Sequence, residues 1–439
     1  MIIGRVIVLL NTLLLISGWL LTELFVFVLA SYRVVRPRRV TSTSKTMNLL
    51  AYCLPPDVNS GTYRPLSFIK YAGENGWKVQ AMSNRDNASP TTAGLELERQ
   101  IPADAEVLRF DSKLANTSWQ FTPALDGGLN NALSMFWQAL FSKQSNTASV
   151  LVCSSPPFYI SVAGLWLSKI TGVPLVLDYR DEWTLCPFDF VSKSGIDKWY
   201  EKRCIQQASL VIYTTESHRV AHEQAFNIMP DRQRVIKNGW DSVSVDKVAE
   251  RLEVKGDDIT ISYLGKLSGH VDVVPFLEML EKSVKASSVL NGRVIVNFVG
   301  SKNKHIEKQL IAFTSPHITV RSIAAVPKSE AEDFMLQSSL LLMLCNDKLA
   351  GYIPGKLYDY LSTRVPIIAY GEPGEVSQIL EHTNGGWFVE SLDAKKMSWV
   401  LENHNDSRLD SNVLLTRWLD KHHRKSIAKD FYEVLNTLN

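Results

Sequence analysis

The sequence predicts an α/β protein of two doubly wound, Rossmann-like domains in tandem, facing a cleft and preceded by one N-terminal membrane helix. Three observations predict it. The chain has 439 residues, 45% hydrophobic and 21% charged, which is a globular balance in a chain too long for one ordinary core. Apolar, β-rich runs alternate with helix-length segments, the pattern of a parallel sheet covered by helices on both faces. That alternation restarts after a charged interval, Asp246 to Asp257, which marks a hinge.

The N-terminal element comes first. Val6 to Ala30 is almost wholly apolar, and as a helix it reaches about 37 Å at ~1.5 Å per residue, enough to cross a bilayer with tilt. Arg5 precedes it, whereas Arg33, Arg36, Arg38 and Arg39 follow, so the positive-inside rule places the bulk of the chain in the cytoplasm, on a single-pass anchor in the inner membrane. A cleaved signal peptide is the alternative, with Val28-Leu29-Ala30 as its cleavage site. Glu23 is out of place in such a segment; it is either tolerated in a helix lying on one leaflet or paired with another subunit.

Residues 1–32 are thus expected as anchor and 33–46 as basic linker. A first domain is expected over 47–245 and a second over 246–415, with a final helical segment, 416–439, packing back on the first. The first strand set is MNLLAYC, WKVQAMS, AEVLRF, SVLVCSS, PLVLDYRD, SLVIYTT and RVIKNG. The second is DITISYLG, VIVNFVG, HITVRSI, LLLMLC, PIIAY and GWFVE. Ligands of such sheets bind beyond the carboxyl ends of the strands.

Composition narrows the function. A net charge of +2 argues against a general nucleic-acid binder, which needs a clearly basic surface. Five scattered cysteines without ligand spacing fit a reducing compartment and no structural zinc.

The strand ends carry the candidate chemistry. After the first strand, Pro55-Pro56-Asp57 leads to Gly61, which opens a helix bearing Arg64; this is either an approach for an anion to backbone N–H groups or an ordinary turn. In LDYRDEW, Asp178, Arg180 and Asp181 follow an apolar strand, either lining the cleft or forming a structural Arg–Asp pair. YLGKL offers Gly265 and Lys266, and VGSKNK offers Gly300, Ser301 and Lys302. Neither matches a dinucleotide or P-loop fingerprint, yet together they suit a phosphorylated ligand. In YIPGKLYDYLSTRVPIIAYGEPGE, Pro354 and Gly355 start a helix whose first-turn amides and Lys356 suit a phosphate, while Asp359 suits sugar hydroxyls. Gly371 begins a second loop at the same sheet edge.

From Asn48 to Leu438 the chain resembles the GT-B-fold, retaining glycosyltransferases of the GT4 type, particularly bacterial ones that build surface polysaccharides. The resemblance rests on LPPDVNSGTYRPLSFIKYAGENGWKV, DYRDEW, VIKNGWD, YLGKL and, most specifically, IPGKLYDYLSTRVPIIAYG. It implies transfer of a sugar from a nucleoside-diphosphate sugar to an acceptor hydroxyl with retained anomeric configuration, the nucleotide sugar being a co-substrate, with no metal and no other cofactor. No Asp-x-Asp occurs in the chain. By resemblance, Lys266 and Lys356 stabilise the departing diphosphate, and Asp359 takes the place of the second glutamate of a Glu-x7-Glu motif, one methylene shorter. The first glutamate falls at Gly351, and His270 stands near where relatives keep a second lysine. Asp181 lies where relatives keep a polar residue near the reacting sugar, and Arg180 is placed in the active site beside it.

The resemblance together with the membrane segment predicts a tethered transferase acting on a lipid-linked glycan or polysaccharide acceptor. The alternatives are a non-catalytic scaffold of the same fold, kept open by Gly351 and Glu23, and a nucleotide-sugar epimerase.

Overall fold

A computed structural model of the protein describes residues 2–35, 45–85, 90–111, 128–142, 148–189, 191–241, 258–267, 271–287, 293–404 and 412–438. The hinge 246–257, His270, and Arg36, Arg38 and Arg39 lie outside the described residues, as does most of the basic linker. All thirteen expected strands form. The central strands are short apolar, often β-branched runs buried on both faces, whereas β3, β7 and β10 at the sheet edges are more polar and partly exposed.

The first sheet holds β1 (Thr46–Ala51), β2 (Lys78–Asn84), β3 (Glu106–Phe110), β4 (Val150–Ser155), β5 (Leu175–Tyr179), β6 (Leu210–Tyr213) and β7 (Gln233–Val235). Their order is β3-β2-β1-β4-β5-β6-β7, and every pairing is parallel. The second sheet holds β8 (Ile259–Leu264), β9 (Val294–Val299), β10 (Ile318–Ile323), β11 (Leu340–Leu344), β12 (Ile367–Gly371) and β13 (Gly386–Glu390) in the order β10-β9-β8-β11-β12-β13, again all parallel. In both sheets the order reverses beside the first strand, the switch point where loops diverge and leave room for a ligand.

The helices of the first unit are α1 (Ile2–Val35), α2 (Tyr63–Lys70), α3 (Thr92–Glu98), α4 (Gly128–Phe141), α5 (Tyr159–Thr171), α6 (Gly195–Gln207) and α7 (Glu216–Phe226). Local chemistry sets their ends. Ser194 and Asp197 form a reciprocal capping box at the start of α6, and Gly172, at φ 77°, ends α5 in the left-handed region that glycine enters at no steric cost.

The chain divides into two compact units: Met1–Lys237 with Ile427–Asn439, and Asn238–Ser426. The first division therefore falls ahead of the expected 245/246 boundary, and the return to the first unit comes later than 416. The reason for the second shift is packing. Leu415, Trp418 and Leu419, on the helix Val413–His422, join the core formed by Tyr358 and Leu361, so that helix belongs to the second unit. Only the following helix, Arg424–Asn436, supplies the first unit: Phe431 stacks on Phe68 at 3.9 Å, and the Tyr432 hydroxyl donates to the Phe68 carbonyl at 2.6 Å.

α1 is long and apolar enough over Leu10–Val34 to cross a membrane. One side of it nevertheless packs within the first unit. Val26 is 2% exposed, Phe25 meets Trp137 of α4 with ring centroids 5.0 Å apart, and the Trp137 Nε1–H donates to Thr22 Oγ1 at 3.1 Å. Glu23 is paired inside its own chain. Its carboxylate takes two hydrogen bonds from Arg203, at 2.9 and 3.0 Å, one from the Tyr200 hydroxyl at 2.7 Å and one from Trp166 Nε1 at 2.9 Å.

Candidate functional site

In the first unit the loops after β1, β4 and β5 meet around two arginines. Arg64, in the first turn of α2, holds Asp178 at the end of β5: Nη2 donates to Oδ1 at 2.8 Å and Nε lies 3.1 Å from both carboxylate oxygens. Ser154 Oγ donates to the same carboxylate at 2.9 Å, and Arg64 Nη1 donates to the Lys237 carbonyl at 2.8 Å. Arg64 is 5% exposed and Asp178 is fully buried. This is the structural Arg–Asp pair left open by the sequence, but its arginine is Arg64 and not the adjacent Arg180.

Arg180 directs its donors at backbone carbonyls. Nε donates to Ser155 at 3.1 Å, Nη1 to Gly61 at 2.7 Å, and Nη2 to Pro156. It thereby ties the β1 loop to the β4 loop, the geometry of a positioning residue. A Cβ on Gly61 would sit 2.8 Å from Arg180 Nη1, so a larger residue there would displace the guanidinium. The Gly61 N–H itself donates to Asn59 Oδ1 at 2.8 Å, so this amide is occupied and does not face an anion as expected. Asp181 is the carboxylate left over: no side chain among the described residues hydrogen-bonds it. Burial raises its pKa above the usual carboxylate range, and the Arg180 charge opposes that rise.

In the second unit the loops after β8, β9, β11 and β12 lie at the same sheet edge. Gly265 (φ 119°) has open space where a side chain would point, and its N–H donates to the Val299 carbonyl at 2.9 Å. Gly300 (φ 132°) and Gly371 (φ 129°) serve a different need. A Cβ on Gly300 would lie 2.2 Å from the Gly265 carbonyl oxygen, and one on Gly371 would lie 1.9 Å from that of Cys345, so both permit neighbouring loops to touch. Ser301 and Lys266 are exposed. The Lys302 ammonium donates to the Gly300 and Ile323 carbonyls at 2.7 and 2.6 Å, which takes it out of the set facing a ligand.

Lys356 is the centre of this edge. It follows Gly355, which has open space around it, in the first turn of the helix Gly355–Ser362. Its Nζ lies 3.3 Å from the centroid of the Tyr263 ring. Burial lowers its pKa to about 7, opposed by the Cys345 thiol, which burial in turn pushes up to about 12. A cation held on a tyrosine face with no carboxylate paired to it among the described residues is undercompensated, and the helix N-terminus adds positive potential.

Asp359, one turn on, faces other groups. Burial raises its pKa, Lys328 and Arg424 oppose the rise, and Asp241 adds to it. Arg424 is ion-paired to Asp241. The structure thus brings Lys356, Gly355, Gly265 and Gly371 to one rim and surrounds Asp359 with a separate set of charges. Tyr263 and Cys345 were not among the residues expected at this edge; they stand near the end of β8 and just past the end of β11. Nor was Tyr360: its hydroxyl accepts the Leu264 N–H at 2.7 Å and fixes the strand end before Gly265. Among the described residues, no group of three or more His, Cys, Asp or Glu is placed to hold a metal ion.

Residues 70–239 match the glycosyl transferase 4-like domain family. No curated protein sequence matches the chain. Solved structures do. HepE of Anabaena, solved with UDP and glucose, aligns with a TM-score of 0.61 at 15% identity, covering 89% of this chain and 99% of its own. Sucrose-phosphate synthase of Thermosynechococcus elongatus gives 0.66 at 13%, covering 90% and 99%. The lipopolysaccharide outer core galactosyltransferase WaaB gives 0.59 at 10%, covering 89% and 99%. At such identities the likeness is one of fold, here GT-B. Fold and domain match together are those of a glycosyltransferase.

Proposed function

We propose that the protein is a retaining glycosyltransferase, held at the cytoplasmic face of a membrane, that moves a sugar from a nucleoside-diphosphate sugar to a lipid-linked or polysaccharide acceptor without a metal. The observation that carries the donor class is Lys356, a cation with depressed pKa at a helix N-terminus beside open glycine loops. Lys356 and the first-turn amides take the diphosphate, Lys266 and the Gly300–Ser301 loop flank it, and Asp359 takes ribose hydroxyls. UDP in HepE supports a uridine donor, ahead of guanosine. WaaB, a lipopolysaccharide galactosyltransferase, supports a surface-glycan acceptor. Asp181 is offered to acceptor hydroxyls, with Arg180 setting the loop that carries it.

The test is thermal stabilisation of the full chain by UDP, GDP and their sugar conjugates, followed by transfer to membrane lipid. A ligand at a hundredfold its Kd adds about 2.7 kcal/mol, and UDP-sugars are expected to give that shift while GDP-sugars give none. Transfer is expected to survive EDTA; loss on chelation and rescue by a divalent cation would contradict a metal-free mechanism. Gly351, in place of the family glutamate, favours a second reading as a non-catalytic scaffold. That reading predicts stabilisation without turnover.

A pH dependence follows from Lys356. Binding a diphosphate requires its charged form, which is already present below about pH 7 and must be regained above it. Nucleotide-sugar affinity is therefore expected to be flat below pH 7 and to fall by up to about tenfold per unit above it. Calorimetry in two buffers of different ionisation enthalpy checks this: about one proton taken up at pH 8 and almost none at pH 6.

A further inference from the structure

The side of α1 that faces away from the protein is a continuous apolar stripe. Leu13, Leu14, Leu21, Leu24, Phe27 and Val28 recur at helical spacing and are exposed, Phe27 at 70%. The opposite side, with Leu15, Trp19, Thr22 and Val26, is held by α4, α5 and α6, and Glu23 is clamped by Arg203, Tyr200 and Trp166. Arg33, near the C-terminal end of α1, donates to the Ser168 and Lys169 carbonyls at the end of α5 at 3.5 and 3.3 Å. The helix is docked from Leu15 to Arg33 and not only at one end.

Glu23 lies near the middle of Leu10–Val34, the stretch long enough to cross a membrane. If that stretch crossed while docked, Arg203 and α6 would sit at mid-bilayer together with the exposed Lys198 and Lys202, where charged groups are strongly disfavoured. If it crossed undocked, Glu23 would enter hydrocarbon without its four donors. Both routes conflict with the packing.

A helix lying flat on one leaflet meets every constraint, and the neighbouring surface fits a membrane. Trp199 of α6 is partly exposed, 46%, with the Arg203 guanidinium 4.1 Å over its ring. Lys198 and Lys202 stand beside it, giving the aromatic and cationic pair suited to the headgroup layer of anionic lipid. Phe141, at the end of α4, is exposed and stacks on Trp137 at 5.7 Å, extending the stripe beyond α1 through the ring that Phe25 touches.

We infer that α1 is an in-plane membrane helix, docked on the first unit through Glu23, that seats this unit on an anionic bilayer without crossing it. This goes beyond sugar transfer and does not depend on it. The test uses the full chain in cell membranes. A cysteine at Ile3→Cys and a reference cysteine at Asp104→Cys are labelled separately with a membrane-impermeant maleimide, the parent chain correcting for the native thiols. Labelling of both from the same side is expected; labelling from opposite sides overturns the inference. The pair Phe25→Cys/Trp137→Cys is expected to be joined within the chain by a short bis-maleimide in the membrane fraction, since the two parent rings are in contact. Absence of that cross-link while the protein is membrane-bound, or recovery of the parent protein wholly in the soluble fraction, overturns it as well. Neither readout involves catalysis, so failure here leaves the transferase reading to its own test.

Discussion

Replacing Lys356 by alanine is expected to lower kcat by on the order of 10²- to 10³-fold, the cost of removing one prepositioned donor to a developing negative charge. The ammonium lies over the Tyr263 ring in the first turn of its helix, and among the described residues no carboxylate is paired to it. The loss should appear in both kcat and donor affinity, because the diphosphate is charged in the ground state and more so as it departs. Lys356→Arg is expected to restore little, since a longer planar guanidinium places its donors differently from a compact ammonium. Unchanged turnover in Lys356→Ala would remove this residue from the leaving-group role.

A second substitution at the same position separates function from stability. Lys356 titrates in the folded protein at about 7, below its unfolded value of about 10.4, so folding disfavours its charged form. The resulting penalty is absent above about pH 10.4, grows as the pH falls and is complete below about 7. Lys356→Met should therefore be at least as stable as the parent at pH 7, and the advantage should vanish at high pH. Urea unfolding at several pH values checks the sign.

Breaking the Arg64–Asp178 pair is the second large effect expected. Asp178→Ala leaves a buried guanidinium without its carboxylate, though still donating to the Lys237 carbonyl, and Arg64→Ala leaves a buried carboxylate with the Ser154 hydroxyl and the nearby Arg180 charge. Either should cost about 3–5 kcal/mol and lower the melting temperature of the first unit by on the order of 10 °C. The double variant Arg64→Met/Asp178→Leu should recover most of that loss, because it removes both charges and fills their volume. Single-variant losses under about 1 kcal/mol, the range of an exposed pair, would show that the site is wetter than the packing indicates.

The strands were legible because each is a local property: a run such as LLLML or VIVNFV is buried on both faces and carries its own signature. The apolar length of α1 was legible for the same reason, and so was the place of Lys356 in the first turn of a helix, because Pro354-Gly355 marks a helix start. The roles of the charged residues at the strand ends were not. Asp178 stands two residues from Arg180, yet its partner lies 114 positions away in sequence. Arg180 and Gly61 read as ligand-facing until the fold placed one against the other. Glu23 looked like an error in an apolar helix until its partner Arg203, 180 positions on, was brought to it. The sequence by itself determined where helices and strands form, since periodicity and turn chemistry act over a few residues. Tertiary structure alone decided which charges are spent on each other and which remain for a ligand or a membrane, because a buried charge is fixed by whatever the folded chain sets within hydrogen-bonding distance.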